Sequence, residues 1–252
     1  MTVTTADLGS GRLIAWDRQA RRNAWDLETM TAVADAIEAA GAEQEVRCIV
    51  LRGAGDHFSA GDDLHSALEA DSTAWAATMA GFQRLTRVVL DAPVPAIAAI
   101  DGVCVGGALE FAASCDLRLC TDRVLLMTPE VGIGLVASNA GTLLLPEVVG
   151  ESAARELLLG GEPRDADWAR RTGFATELVA PDDLDGRIEH WTEVFSRTSR
   201  AAVAATKAML NERFGSLLGE AMDRETHHGV RLFDGGDAQT ALEAFAKRRK
   251  AD

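Results

Sequence analysis

Ile97-Ala-Ala-Ile-Asp-Gly-Val-Cys-Val-Gly-Gly-Ala-Leu-Glu-Phe-Ala-Ala-Ser-Cys-Asp116, followed by Pro129-Glu130, is the stretch on which the reading of this chain turns. An apolar run from Val94 to Ile100 reads as a strand, Gly106-Gly107-Ala108 as a turn, and Leu109 to Ala113 as the opening of a helix. A strand, a glycine turn and a helix start leave backbone N–H groups aimed at one point, with the positive end of the helix behind them. Glu110 follows Gly107 by three residues, so the first helical turn returns its side chain to the face of that amide. An anion site beside the candidate acid/base carboxylates Glu110 and Glu130 points to an enzyme.

A second glycine loop, Gly53-Ala-Gly-Asp-His-Phe-Ser-Ala-Gly-Asp-Asp-Leu64, follows the strand-like run Val46 to Arg52. Gly53-x-Gly55 after a strand suggests a dinucleotide loop, but Phe58 stands where that fingerprint needs its third glycine. Phe58-Ser-Ala-Gly-Asp-Asp-Leu64 and Gly102 to Glu110 instead resemble the F-x-A-G-x-D-L loop and the G-x-x-x-G-G-x-x-E segment of the crotonase superfamily, the enoyl-CoA hydratase/isomerase family. Arg18 with Asn23-Ala24 is similar to its N-terminal element, and Ala244-Phe-Ala-Lys-Arg248 to its C-terminal one.

The resemblance implies an α/β fold: a crotonase (ClpP-like) spiral of ββα units over residues 1–181, carrying the coenzyme A and active sites. It implies a helical region over 182–252 for oligomerisation and active-site cover, as a homotrimer or a dimer of trimers. It further implies that the amides of Asp62 and Gly107 form an oxyanion hole for a thioester. Losing one such donor typically costs roughly 3 kcal/mol of barrier. Glu110 and Glu130 match the two carboxyls that hydratases of the family set about one water, whereas isomerases mostly keep only the second. Arg22, Ala24, Ala60, Asp63, Leu64 and His65 fall where relatives bind the coenzyme A part of the substrate. The basic groups Arg18, Arg21 and Arg22, and Lys247-Arg-Arg-Lys250, are candidates for its phosphates.

From this resemblance the chain is expected to be an enoyl-CoA hydratase that adds water reversibly to a trans-2-enoyl-CoA. An enoyl-CoA isomerase, an acyl-CoA hydrolase or a non-catalytic acyl-CoA binder on the same scaffold stay open. A serine peptidase on the related spiral is remote, since no serine sits in a G-x-S-x-G elbow. One departure bears on the choice: Ala137-Ser-Asn-Ala-Gly-Thr142 stands where many hydratases have P-G-x-G-G-T. Ser138 or Asn139 is expected to cap the helix from Leu143 onward, with a bond to substrate or to the reacting water as the alternative. Asp62 occupies a site where small residues are common, so its carboxyl opposes an anionic intermediate unless it turns away.

Composition sets the outer limits. The 252 residues carry a net charge of −14, which argues against nucleic acid or an anionic membrane as partner. Without an 18-residue apolar run or a leader-like start, the sequence is expected to be cytoplasmic and to lack a membrane span. Cys48, Cys104, Cys115 and Cys120 show no metal spacing and read as reduced core residues, and the five histidines form no HExxH array. No metal is predicted, and no cofactor beyond coenzyme A entering as part of the substrate.

Strand-like runs at Leu13 to Trp16, Val46 to Arg52, Val94 to Ile100, Leu117 to Thr121 and Thr176 to Val179 alternate with helix-like ones. The latter include Leu27 to Ala40, Trp75 to Leu90, Asn139 to Val149, Ala153 to Leu159 and Asp165 to Arg171, then Leu184 to Phe195 and Ala201 to Arg213. Trp75, Met79 and Phe82 share one helical face, as any core helix shows.

Overall fold

The computed structural model describes residues 3–248. Among these residues eight strands and eleven α-helices follow one another as β1 (Val3–Leu8), β2 (Gly11–Trp16), α1 (Leu27–Ala42), β3 (Cys48–Gly53), α2 (Leu64–Glu69), α3 (Ser72–Asp91), β4 (Ala96–Ile100), β5 (Val103–Val105), α4 (Gly107–Ser114), β6 (Leu117–Thr121) and β7 (Leu125–Met127). After these come α5 (Gly141–Val149), α6 (Glu151–Gly160), α7 (Ala166–Thr172), β8 (Glu177–Val179), α8 (Leu184–Ser196), α9 (Arg200–Glu212), α10 (Gly215–Asp234) and α11 (Asp237–Arg248). The main sheet runs β1-β2-β3-β4-β6-β8, antiparallel between β1 and β2 and parallel thereafter.

The centre of that sheet is apolar because both of its faces are covered. Every residue of Ala96-Ile-Ala-Ala-Ile100 is buried, the unbroken apolar run that a doubly covered parallel strand needs. On one face α1 and α3 pack together, and Trp16, Trp25, Phe58, Phe82 and Phe111 stack edge-on or offset beneath them. The Trp16 indole N–H donates to the Phe58 carbonyl at 2.9 Å, which ties the aromatic cluster to the second glycine loop. Asp26, Asp71 and Asp165 cap α1, α3 and α7, each cap contributing about 1 kcal/mol.

A second, smaller stack positions the site. β5 pairs with β7 in parallel, and Ser59 bridges to Cys104, so Ser59, Cys104 and Leu126 form a row across successive turns of the chain. Ser59 donates its amide to Val103 at 2.9 Å and accepts from Val105 at 3.1 Å. At Gly61, φ is +80° and a Cβ would stand 2.5 Å from the Val105 carbonyl, so only glycine lets the two loops approach this closely.

Helices alone follow β8. Lys207 on α9 reaches back to Asp116 at 2.7 Å and to the Val94 carbonyl at 3.1 Å, buried at the entrance of β4. α10 lies on α3 and α5, and α11 lies on α2 and the 3-10 turn Glu130–Ile133. All four cysteines are free and buried. Burial pushes the Cys115 and Cys120 thiols up to about 12, which leaves them unreactive. Trp75 is core: it stacks on Phe233 at 5.4 Å, with Met79, Ile133 and Leu242 around it. No helix among the described residues is long and apolar enough to cross a membrane.

β1, β5, β7, α2 and α10 go beyond the runs read from the sequence. β5 and β7 have three residues each, too few for periodicity to register, and β1 is exposed along most of its length.

Candidate active site

Two helix starts and two loops build the site. Gly107 opens α4 directly after β5, and neither its amide nor that of Asp62 donates to an acceptor among the described hydrogen bonds. The Ser59 to Cys104 bridge and the Gly61 contact with Val105 hold these two amides on adjoining segments. They form a pair of unused donors beside the positive pole of α4.

Glu110, one turn into α4, is fully buried. Its carboxylate accepts from the amides of Ser138 (3.1 Å), Asn139 (3.1 Å) and Gly141 (3.0 Å). Gly141 is obligatory here, because a Cβ at that position would fall on the Glu110 carboxylate. Burial drives the Glu110 carboxyl well above the usual range; Glu225 and then Glu130 push it the same way, and the amides oppose them. Glu130 begins the 3-10 turn after Pro129, and its Oε1 lies beside Gly106. Burial pushes Glu130 up to about 8; its own backbone amide works against the shift, while Asp62 and Glu225 add to it.

Asp62 is partly buried, and one of its carboxyl oxygens, Oδ1, is enclosed without a hydrogen-bond partner. Burial and the neighbouring Asp63 raise it to about 7. Its charge in turn raises Glu130, so the two carboxyls disfavour each other's ionisation.

The other residues singled out in the sequence divide into two groups. Arg18 and Arg21 are engaged within the protein: both pair with the buried Asp63, at 2.9 and 3.1 Å, and Arg18 also pairs with Asp26 at 3.1 Å. Asp63 is thereby an anchor for the 18–24 loop, since its charge is met by the protein's own cations. Asn23 completes the anchor, accepting from the Arg18 amide and donating to the Ala54 and His57 carbonyls. Arg22 remains exposed without an ion pair among the described residues, and its carbonyl accepts from the Ala60 amide. Ala24 and Leu64 flank this loop, buried and half-buried. His65 contributes backbone to α2, and its side chain lies outside the described residues, as do those of Lys247 and Arg248 and the whole of Arg249 and Lys250.

Ser138 and Asn139 do not cap α5. The cap residue is Ala140, held in the left-handed region at φ 68°, and the amides are taken by carboxylates from elsewhere in the chain. Asn139 instead donates its side-chain amide to the Gly107 carbonyl at 3.3 Å, leaving its Oδ1 buried without a partner.

Sequence reasoning missed Glu225. It is buried on α10 and accepts from the Ala140 amide (2.7 Å), the Thr142 amide (2.9 Å) and the Thr142 hydroxyl (2.6 Å). The signal was available: Ala221, Met222, Gly229 and Phe233 make an apolar stripe at helical spacing, and Glu225 is the charge inside it.

The sequence profile of the enoyl-CoA hydratase/isomerase family matches residues 12–252. A crotonyl-CoA hydratase of Syntrophomonas wolfei is 30% identical over 239 residues, 94% of this chain and 91% of the relative. The crystal structure of an enoyl-CoA hydratase/isomerase from Xanthobacter autotrophicus Py2 is 28% identical and superimposes at a TM-score of 0.85, covering 99% of this chain and 98% of that one. For an enoyl-CoA hydratase from Bacillus halodurans the TM-score is 0.92 at 24% identity, over 97% and 100% of the two chains, a likeness of fold. With paired amides at Asp62 and Gly107 and carboxyls at Glu110 and Glu130 on that fold, the chain belongs to the enoyl-CoA hydratase/isomerase family of the crotonase superfamily.

Proposed function

We propose that this protein is an enoyl-CoA hydratase, adding water to the double bond of a trans-2-enoyl-CoA thioester. The observation that carries the reading is the meeting of two buried-side carboxyls, Glu110 and Glu130, beside two amides with no protein acceptor. Hydration needs one carboxylate and one carboxylic acid at the same double bond. Mutual repulsion and burial keep such a pair from ionising fully, so it holds a proton at neutral pH as a unit.

In the reaction, water adds its oxygen to the β-carbon while one carboxylate takes its proton. The electron pair of the double bond moves onto the thioester oxygen, where the Asp62 and Gly107 amides stabilise the developing charge. The carboxylic acid then delivers a proton to the α-carbon, and the thioester carbonyl re-forms. One water is consumed, and the carboxyl pair ends with as many protons as it began. Coenzyme A enters as part of the substrate, so the reading requires no separate cofactor.

A proton shuttle between the α- and γ-carbons is the second reading. What favours it is that Glu110 spends its carboxylate on three backbone amides, leaving Glu130 as the carboxyl with fewer partners. Loss of the conjugated enoyl-thioester absorbance on trans-2-enoyl-CoAs, measured for the native chain, Glu110→Gln and Glu130→Gln, separates the two. Hydration abolished by either change supports the two-carboxyl reading. Isomerisation of a 3-enoyl-CoA that survives Glu110→Gln, with no hydration by the native chain, replaces it. Assembly as a trimer is part of the same proposal; exposed Met209, Leu210 and Leu217 on the C-terminal helices, beside an apolar groove of about 440 Å³ lined by Leu117, Phe195 and Val203, support it.

A further inference from the structure

Five consecutive backbone amides, from Ser138 to Thr142, are consumed by two carboxylates. Ser138, Asn139 and Gly141 donate to Glu110, and Ala140 and Thr142 donate to Glu225. The two acceptors arrive from opposite sides, Glu110 from α4 and Glu225 from α10, and the division depends on Ala140 standing at φ 68°. A left-handed alanine is strained and persists only where its surroundings hold it. Here the hold is the 2.7 Å bond from the Ala140 amide to Glu225, on a residue with no exposed surface. Successive amides alternating in this way make a concave anion cradle, filled by side chains of the protein itself.

We infer that Glu225 is a positioning residue for Glu110: by holding the amides of Ala140 and Thr142 it keeps those of Asn139 and Gly141 on Glu110, and it stands beside Glu110 as a second buried carboxyl. The surroundings leave it few other tasks. On α3, Gln83 donates to the Ser138 and Met222 carbonyls and to the Thr226 hydroxyl, so the neutral amide there clamps α10 to the same segment. Among the described residues the foremost charged groups acting on Glu110 and Glu225 from other positions are Glu130 in the 3-10 turn and the exposed Arg224 on α10, while Thr142 of α5 hydrogen-bonds Glu225 and Asp62 acts on Glu130. The directions agree with the geometry, since Glu225 is the foremost charged neighbour raising Glu110 and is itself raised by burial.

The inference rests on the hydratase reading for its kinetic arm only. The test compares the native chain with Glu225→Gln and Glu225→Asp, measuring kcat and KM against pH on a short trans-2-enoyl-CoA and titrating the Glu110 carboxyl by carbon NMR, assigned with Glu110→Gln. Glutamine removes the charge and keeps one of the two acceptor oxygens at the same reach, enough to hold the Ala140 amide, so the Glu110 titration is expected to move to lower pH. Aspartate keeps the charge and loses the reach, so the amides loosen and the titration moves to higher pH. In both variants kcat falls about tenfold to a hundredfold with KM within about twofold, the pattern of a displaced reacting group.

Shifts of opposite sign support the inference; no shift, or shifts of one sign, overturn it, as does a kcat loss that follows only the folded fraction. If neither variant folds, the native chain decides. Glu110 titrating in two coupled steps, the second shared with Glu225, supports the inference, and a single independent step overturns it. A native chain without hydratase turnover removes the proposed function and leaves the NMR arm standing.

Discussion

α4 and α5 begin within reach of one another and treat their free amides in opposite ways. At the start of α4 no side chain caps the helix and the Gly107 amide has no acceptor among the described residues. At the start of α5 all five amides are occupied by carboxylates from α4 and α10. One helix pole is open to a ligand, and the other is closed by the protein's own anions. An anion site is thus defined by what neighbouring elements withhold from it as much as by the helix start itself.

The largest way to break this contrast is to take the proton carrier from the open pole. Glu130→Gln is expected to lower kcat by about 10³-fold, in the range of a positioned acid/base group, with KM for the thioester nearly unchanged; an unaltered kcat would remove Glu130 from the chemistry. At the closed pole, Gly141→Ala drives a methyl into the Glu110 carboxylate. Overpacking of this kind costs about 1–3 kcal/mol, so both the Tm and hydratase turnover should fall, and preserved turnover would mean that Glu110 acts from another position.

The third test uses pH. Asp62 and Glu130 stand at about 7 and about 8 in the folded chain, above their unfolded values. The folded state therefore binds more protons than the unfolded state between those limits, and stability falls as pH rises through that window. Stability from these groups is complete below the unfolded values and is lost above the folded ones. The Tm should decline from about pH 5 to about pH 8.5, and less steeply in Glu130→Gln; parallel slopes would sink the assignment. The smallest effect belongs to an ordinary helix start: Asp71→Ala removes the 2.8 Å cap on Ala74 and should cost about 1 kcal/mol in denaturant unfolding with turnover unchanged.

The parts of the molecule legible in the sequence are those decided locally. β4 is an apolar run because both of its faces are covered, and Glu110 follows Gly107 by one helical turn whatever else surrounds it. The illegible parts depend on distant partners. Glu225 meets Ala140 only because α10 packs on α3 and α5, and nothing near residue 140 announces it. Ser138 and Asn139 are good capping types, yet the left-handed turn at Ala140 and two outside carboxylates displace them from that role. Arg18 and Arg21 resemble a phosphate patch until the fold brings Asp63 between them.

The row Ser59, Cys104, Leu126 acts as a ruler for the two amides proposed as oxyanion donors. Asp62 and Gly107 lie just beyond two segments joined by strand-type hydrogen bonds, so the gap between the donors is graduated by the separation of paired strands, about 4.8 Å. The placement of the two candidate donors is thus a matter of backbone pairing, apart from the carboxyls around them.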